Sequence, residues 1–453
     1  MSHRNGAALT ASGGARLWVP LLVVGFAGQL AWTVENLYLN VFVYDTITDD
    51  PNAIAVMVAA SAITATVATL LMGAASDRAR NRRAFIAAGY VLWGLTTAAF
   101  GLVSVDRVAG VAAAGTGVAV AVVAIIVLDC VMTFVGSTAN DAAFSAWVTD
   151  STVPATRGRV DSVLAVLPLL AMLFVFGALD PLTQSGQWQT FFGVIGALTA
   201  VVGVVAWFIV RDSPDLAVQS DGYLSAVVHG LRPSVVRTQP ALYVTLLAYV
   251  VIGTSTQVFM PYLIVYVQYY LEIEQYPVLL AIVLVTASVA SVLGGRVIDR
   301  VGKQRAILPT AGILGIGSVA MFVARGMTAV TIAATVMMAG FMLAVAAVNA
   351  TIRDHTPAGR VGNVQGLRII AAVLLPMVIG PFIGSAVIKG ANETYVDLGQ
   401  VKQVPTPWIF LAAAAVLVLL PPVVALLRRV TAAGAPGADP DTLVTVAPDG
   451  EDA

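Results

Sequence analysis

The chain has 453 residues, of which 58% are hydrophobic and only 11% charged, with a net charge of -1 and a mean hydropathy of +0.89. A water-soluble chain carries roughly a quarter charged residues, so a soluble multidomain protein is excluded. The balance of 24 basic against 25 acidic residues leaves no bulk charge for binding nucleic acid. The single cysteine, Cys130, excludes an intramolecular disulfide, and its apolar neighbours mark it as a packed residue. His3, His229 and His355 are scattered, so no metal cluster is expected.

Residues 1–16 are rich in Gly, Ala and Ser and read as a cytoplasmic tail. The apolar run that follows is too long for a cleavable signal and is expected to act as its own insertion signal. Beyond it the chain breaks into charge-poor runs long enough to span a bilayer. A spanning helix needs about 20 apolar residues, because every backbone amide must be satisfied inside hydrocarbon. Twelve spans are expected, near 17–44, 53–75, 85–104, 115–147, 160–180, 188–210, 241–270, 277–297, 306–324, 329–350, 366–388 and 407–427. The fold class is therefore an all-α membrane protein. The spans divide into six-helix bundles at 17–210 and 240–429, joined by a cytoplasmic linker at 211–239 in which 222–231 suits a short surface helix. The tail at 430–453 is small, acidic and Pro-rich and is expected to be disordered.

Lys and Arg resist transfer across the membrane. With both termini inside, twenty of the 24 cations fall on the cytoplasmic side, and only Arg107, Arg325, Lys389 and Lys402 fall outside. That asymmetry sets the orientation.

Two motifs recur. Gly73-Ala-Ala-Ser-Asp77-Arg78, followed by Arg82 and Arg83, closes the second span, and Gly295-Arg-Val-Ile-Asp299-Arg300, followed by Lys303, closes the eighth. After the fourth and tenth spans come Asp150-Ser-Thr-Val-Pro-Ala-Thr-Arg157 and Asp354-His-Thr-Pro-Ala-Gly-Arg360. Two halves thus repeat one plan. The Gly-x-x-x-Asp-Arg loop resembles the signature of the major facilitator superfamily over residues 17–429. Ser76 to Ile86 and the segment Asn140-Asp141-Ala-Ala-Phe144 resemble its glycoside and cation symporters related to melibiose permease. The resemblance implies two pseudo-symmetric bundles that rock about a central site. It also implies a sodium site with two acids on the second span, but Thr69 and Ala65 stand there, so sodium symport is not expected. Gln29 stands where that branch has one sugar-binding acid, and Asn140 where it has another.

The repeated loops are the expected inner gate: Gly73 and Gly295 for close helix approach, Asp77 and Asp299 for hydrogen bonds to facing helix ends, and Arg78, Arg82, Arg83, Arg300 and Lys303 as their cationic partners. The plain alternative is that these cations only mark topology. Within the spans an ionisable residue is costly and by default functional. Glu35 is the foremost, beside a stripe of Gln29, Trp32 and Asn36 spaced by three and four. A desolvated carboxyl there suits cargo or proton binding. Asp129 and Asp141 are about 18 Å apart at helical rise, so they are expected at different depths, Asp129 toward the outer half and Asn140/Asp141 toward the inner. The second half offers Gln257, Tyr266, Gln268 and, opening the eleventh span, Arg368.

The expected function is a secondary active transporter in the plasma membrane that moves a sugar-like or glycoside-like solute, with the proton as coupling ion. It is expected to act as a monomer whose partners are the solute and the bilayer. Proton-driven export of drugs or metabolites and a non-transporting membrane sensor are the alternatives. No nucleotide loop, nucleophile arrangement or cofactor motif supports an enzyme.

Overall fold

A computed structural model of the chain describes residues 15–105, 116–152, 154–212, 233–356, 361–397 and 400–433. Both tails, most of the linker with its expected surface helix, Arg107 and Arg360 lie outside the described residues. So do the side chains of Asp77, Arg157 and Asp299.

Among the described residues twelve helices are long and apolar enough to cross a membrane: α1 (Arg16–Thr46), α2 (Pro51–Ser76), α3 (Arg82–Leu102), α4 (Gly117–Asp150), α5 (Arg159–Gln184), α6 (Trp188–Ile209), α7 (Pro240–Tyr270), α8 (Tyr276–Ile298), α9 (Lys303–Val323), α10 (Met327–Asp354), α11 (Gly366–Ala391) and α12 (Trp408–Ala432). Their ends lie within a few residues of those read from the gaps between charges. Local chemistry sets the turns. Asp50 caps α2 by accepting from Asn52 N at 2.9 Å, with Pro51 in the first turn. Asn81 caps α3 through Ala84 N at 3.1 Å. Gly302, at φ +97°, joins α8 to α9 in a backbone conformation that strains any side chain.

The packing repeats with the sequence. In the first half α1 lies against α5 and α6, α3 against α4 and α6, and α2 against α4. In the second half α7 lies against α11 and α12, α9 against α10 and α12, and α8 against α10. Each pair is the first set advanced by six helices. The halves meet where α2 packs on α11 and α5 on α8, which is again one contact and its symmetric counterpart.

Small residues make the tightest of these contacts, as lipid-solvated helices require. A Cβ on Gly94 of α3 would stand 2.3 Å from Gly196 O of α6, and one on Gly196 would stand 2.4 Å from Gly94 O. The sequence reading contains no strand, yet the outer loop between α11 and α12 forms an antiparallel hairpin, β1 (Thr394–Asp397) and β2 (Gln400–Gln403).

Because backbone faces backbone at Gly94, no rotamer change relieves an added side chain. Gly94→Val is expected to destabilise the first half by about 2 kcal/mol. The loss is read as a lower temperature at which the detergent-solubilised protein leaves its monodisperse chromatographic peak; an unchanged temperature would show that α3 and α6 are not in backbone contact.

Candidate solute and coupling site

Between the halves lies a cavity of about 270 Å³. The first half contributes Gln29, Trp32, Glu35, Asn36 and Asn40 from α1, Met57 and Ser61 from α2, Asp129 from α4 and Met172 from α5. The second half contributes Gln257 and Met260 from α7 and Met377 from α11. The stripe expected on α1 therefore faces this space. A π-helical turn over Val34–Tyr38 widens the helix there, and Glu35 and Asn36 both reach the cavity. Such turns often mark functional positions.

Glu35 is held from two neighbouring helices. Its Oε1 accepts from Ser61 Oγ at 2.8 Å and from Thr133 Oγ1 at 2.7 Å, and these two hydroxyls are themselves 2.7 Å apart. Asp129 is 2% exposed and has Ser61 and Glu35 as its polar neighbours. Asp141 is the other charged neighbour of Glu35. Asp129 and Asp141, expected at separate depths, thus flank one carboxyl group. Among the described residues no Lys, Arg or His lines the cavity.

Other candidates are placed elsewhere. Asn140 is buried away from the cavity wall, where it accepts from Tyr90 Oη at 2.9 Å and donates to Asp141 at 3.1 Å. Gly28 allows this approach, since a Cβ there would lie 2.6 Å from Asn140 Oδ1. Asn140 joins α1, α3 and α4 and does not face the solute space. Asp141 is surrounded by Trp32, Ser137 and Asn140. Tyr266 is fully buried within the second half, stacked on Tyr270 and edge-on to Phe410. Tyr266 does not line the cavity, and neither does Gln268, whose buried Oε1 lies off its wall. Arg368 is half-buried at the cytoplasmic end of α11, also away from the wall. Tyr266 packs into its own bundle, whereas Tyr262 and Tyr269 of the same helix reach across to the first half.

The repeated motifs meet each other within each half. Buried Arg82 reaches Asp150 Oδ2 at 3.2 Å and Ser76 Oγ at 2.6 Å. Lys303 reaches Asp354 Oδ1 at 2.7 Å. A cation of the first motif thus pairs with the aspartate opening the second, once per half. The Arg83 guanidinium lies over the Trp207 ring at 4.2 Å, and its backbone N donates to Asp212 at 3.0 Å. Arg78 and Arg300 are exposed, and Gly73 is buried. Gly295 departs from expectation: a Cβ there would meet nothing within 4 Å, while its neighbour Gly294 is tight against Leu343. In this conformation the second-half loop does not press on a facing helix at Gly295.

Bonds between the halves gather at the outer ends. Tyr276 Oη of α8 donates to Asp180 Oδ1 at 2.6 Å, an oxygen that also accepts from Tyr38 Oη at 2.7 Å. Tyr262 Oη reaches Pro51 O at 3.0 Å, Tyr269 Oη reaches Asp45 Oδ1 at 2.6 Å, and Lys389 pairs with Asp50 at 2.8 Å. Ser385 donates to Asn52 Oδ1. The hairpin joins in, with Tyr44 Oη donating to Gln403 O at 2.6 Å and Gln403 N donating to Asp49 at 2.7 Å. The outer face is shut. Sequence reading missed Asp180, which is fully buried, because it sits at a helix end beside a proline. It also missed Ser61 and Thr133, since a hydroxyl in a spanning helix usually bonds its own backbone.

Twelve spans in two matching bundles around a polar chamber define a multi-pass membrane transporter. A family model described as the Major Facilitator Superfamily matches residues 21–381, and the chain belongs to that superfamily. No curated protein sequence matches it significantly. Among solved structures it is similar to an aspartate-to-alanine mutant of the nucleoside transporter NupG, at 11% identity and TM-score 0.70, covering 90% of this chain and 99% of that one. It is also similar to a bacterial homologue of the human lysosomal transporter Spinster in an inward-facing, occupied conformation, at 15% identity and TM-score 0.65, covering 93% and 98%. At these identities the likeness shows the fold alone, and no branch of the superfamily is selected.

The Tyr276 bond joins the two halves across the closed outer face. Tyr276→Phe is expected to shift the protein toward an outward-open state by about tenfold in population, the equivalent of one charge-assisted hydrogen bond. In a Cys130→Ser background, Gln257→Cys at the cavity should then react faster with a membrane-impermeant maleimide applied from outside. An unchanged rate would remove Tyr276 from the seal.

Proposed function

We propose that the protein is a secondary active transporter of the plasma membrane that moves a small polar solute by alternating access and couples that movement to protons through Glu35. The observation that carries this reading is the cavity itself. Its polar wall is built by both halves, it lies beneath a closed outer seal, and its one carboxyl held by hydroxyls from two other helices is Glu35. A carboxyl that can exchange its proton in a site shared by two rocking bodies links protonation to their relative position. The nucleoside named for one structural neighbour is itself a small polar solute, which suits the reading without choosing between sugars, glycosides and nucleosides.

A second reading, export of amphipathic compounds, draws on an apolar chamber of about 70 Å³ that shares Leu37, Met172 and Met260 with the polar cavity.

Reconstituted protein under an imposed pH gradient is expected to accumulate a labelled polar solute. Glu35→Gln should lower that accumulation about tenfold or more. Full gradient-driven accumulation by the mutant would take the coupling role away from Glu35.

A further inference from the structure

We infer that the central cavity is built for an organic ammonium compound, a cationic head bearing N–H donors on an apolar body, and that Glu35, Asp129 and Asn40 receive the head. This deepens the transporter reading and rests on it for the cavity being the solute site.

Three buried polar atoms on the cavity wall have no partner: Glu35 Oε2, Asp129 Oδ1 and Asn40 Oδ1. All three are acceptors, on residues only 7%, 2% and 1% exposed. The donors nearby are already committed. Asn36 and Asn40 direct their amide nitrogens to Trp32 O at 2.8 Å and Asn36 O at 2.9 Å. A carbonyl cannot bond a carbonyl, so these bonds fix each amide and leave its oxygen over. Ser61 and Thr133 turn their hydroxyls to Glu35 Oε1. A ligand that reaches these three acceptors must bring the hydrogens, while the amides of Gln29 and Gln257 stand elsewhere on the same wall.

Charge narrows the class. Two carboxyl groups face the space and, among the described residues, no basic side chain does. A sugar hydroxyl supplies a hydrogen without charge, a quaternary ammonium supplies charge without a hydrogen, and a protonated primary or secondary amine supplies both. The remaining wall suits the body of such a molecule. Met57, Met172, Met260 and Met377 present polarizable thioethers, Trp32 offers an aromatic ring to a cation, and the apolar chamber adjoins through Leu37, Met172 and Met260. The ammonium head needs ionised carboxyl groups, so its entry displaces any proton they hold; proton and solute exchange at one place.

The test uses the full chain in lipid nanodiscs, with empty nanodiscs subtracted, and titration calorimetry in buffers of different ionisation enthalpy. The probes are benzylamine, phenethylamine, benzyltrimethylammonium, benzyl alcohol and methyl β-glucoside. Benzylamine or phenethylamine is expected to bind about tenfold or more tighter than the other three, with release of protons. Asp129→Asn and, independently, the uncharged exchange Asn40→Leu should each weaken amine binding about tenfold. Should Asp129→Asn fail to fold, Asn40→Leu carries the same expectation. Benzyl alcohol or methyl β-glucoside binding as tightly as the amines, or neither amine binding, overturns the inference. Amine binding without proton-driven movement in liposomes keeps it and sinks the coupling; proton-driven movement of a glycoside without amine binding does the reverse.

Discussion

A carboxylate that leaves water for the middle of a bilayer has to be offset by hydrogen bonds, a proton or a bound cation. Glu35 is that carboxylate, and much of the first half is arranged around it. Ser61 brings α2 to it and Thr133 brings α4. Gly28, two turns earlier on α1, lets Tyr90 of α3 and Asn140 of α4 close against the same helix. The π-helical turn at Val34–Tyr38 then presents Glu35 and Asn36 to the cavity. One unfavourable burial thus recruits two neighbouring helices, α2 and α4, and shapes the chamber wall.

The spans were legible in the sequence because their cause is one-dimensional: hydrocarbon requires an unbroken apolar helix of fixed length, and a charge marks each end. The α1 stripe was legible for a similar reason, since residues three and four apart share a face whatever surrounds them. Which side chain on another helix meets that face depends on packing. Ser61 and Thr133 therefore carried no signal, and polarity on α7 does not say whether a side chain such as Tyr266 or Gln268 turns to the cavity or away from it. The methionines of the wall were hidden because Met reads as ordinary core.

The repeat organises the two membrane faces unequally. At the inner face the same pairing occurs twice, Arg82 with Asp150 and Lys303 with Asp354, so duplicated sequence made duplicated contacts. The outer seal uses parts that belong to one half only: the α1–α2 turn, Asp180, and the hairpin before α12. An internal repeat therefore pointed to the inner motifs and was silent about the outer seal. Two of the outer cations also have particular places, for Lys389 pairs with Asp50 and Arg325 lies over the Tyr270 ring at 5.8 Å.

The outer seal has two tiers that differ in their access to water. Lys389 and Asp50 are 40% and 48% exposed, whereas Asp180 is fully buried with Tyr38 and Tyr276 against it. Exposed ion pairs weaken as dissolved salt screens them, and dry hydrogen bonds do not. The barrier to opening outward is thus partly set by the ionic strength of the external medium. A cell in dilute surroundings and one in brine would cycle the same transporter at different speeds, with the solute chamber itself shielded from the change.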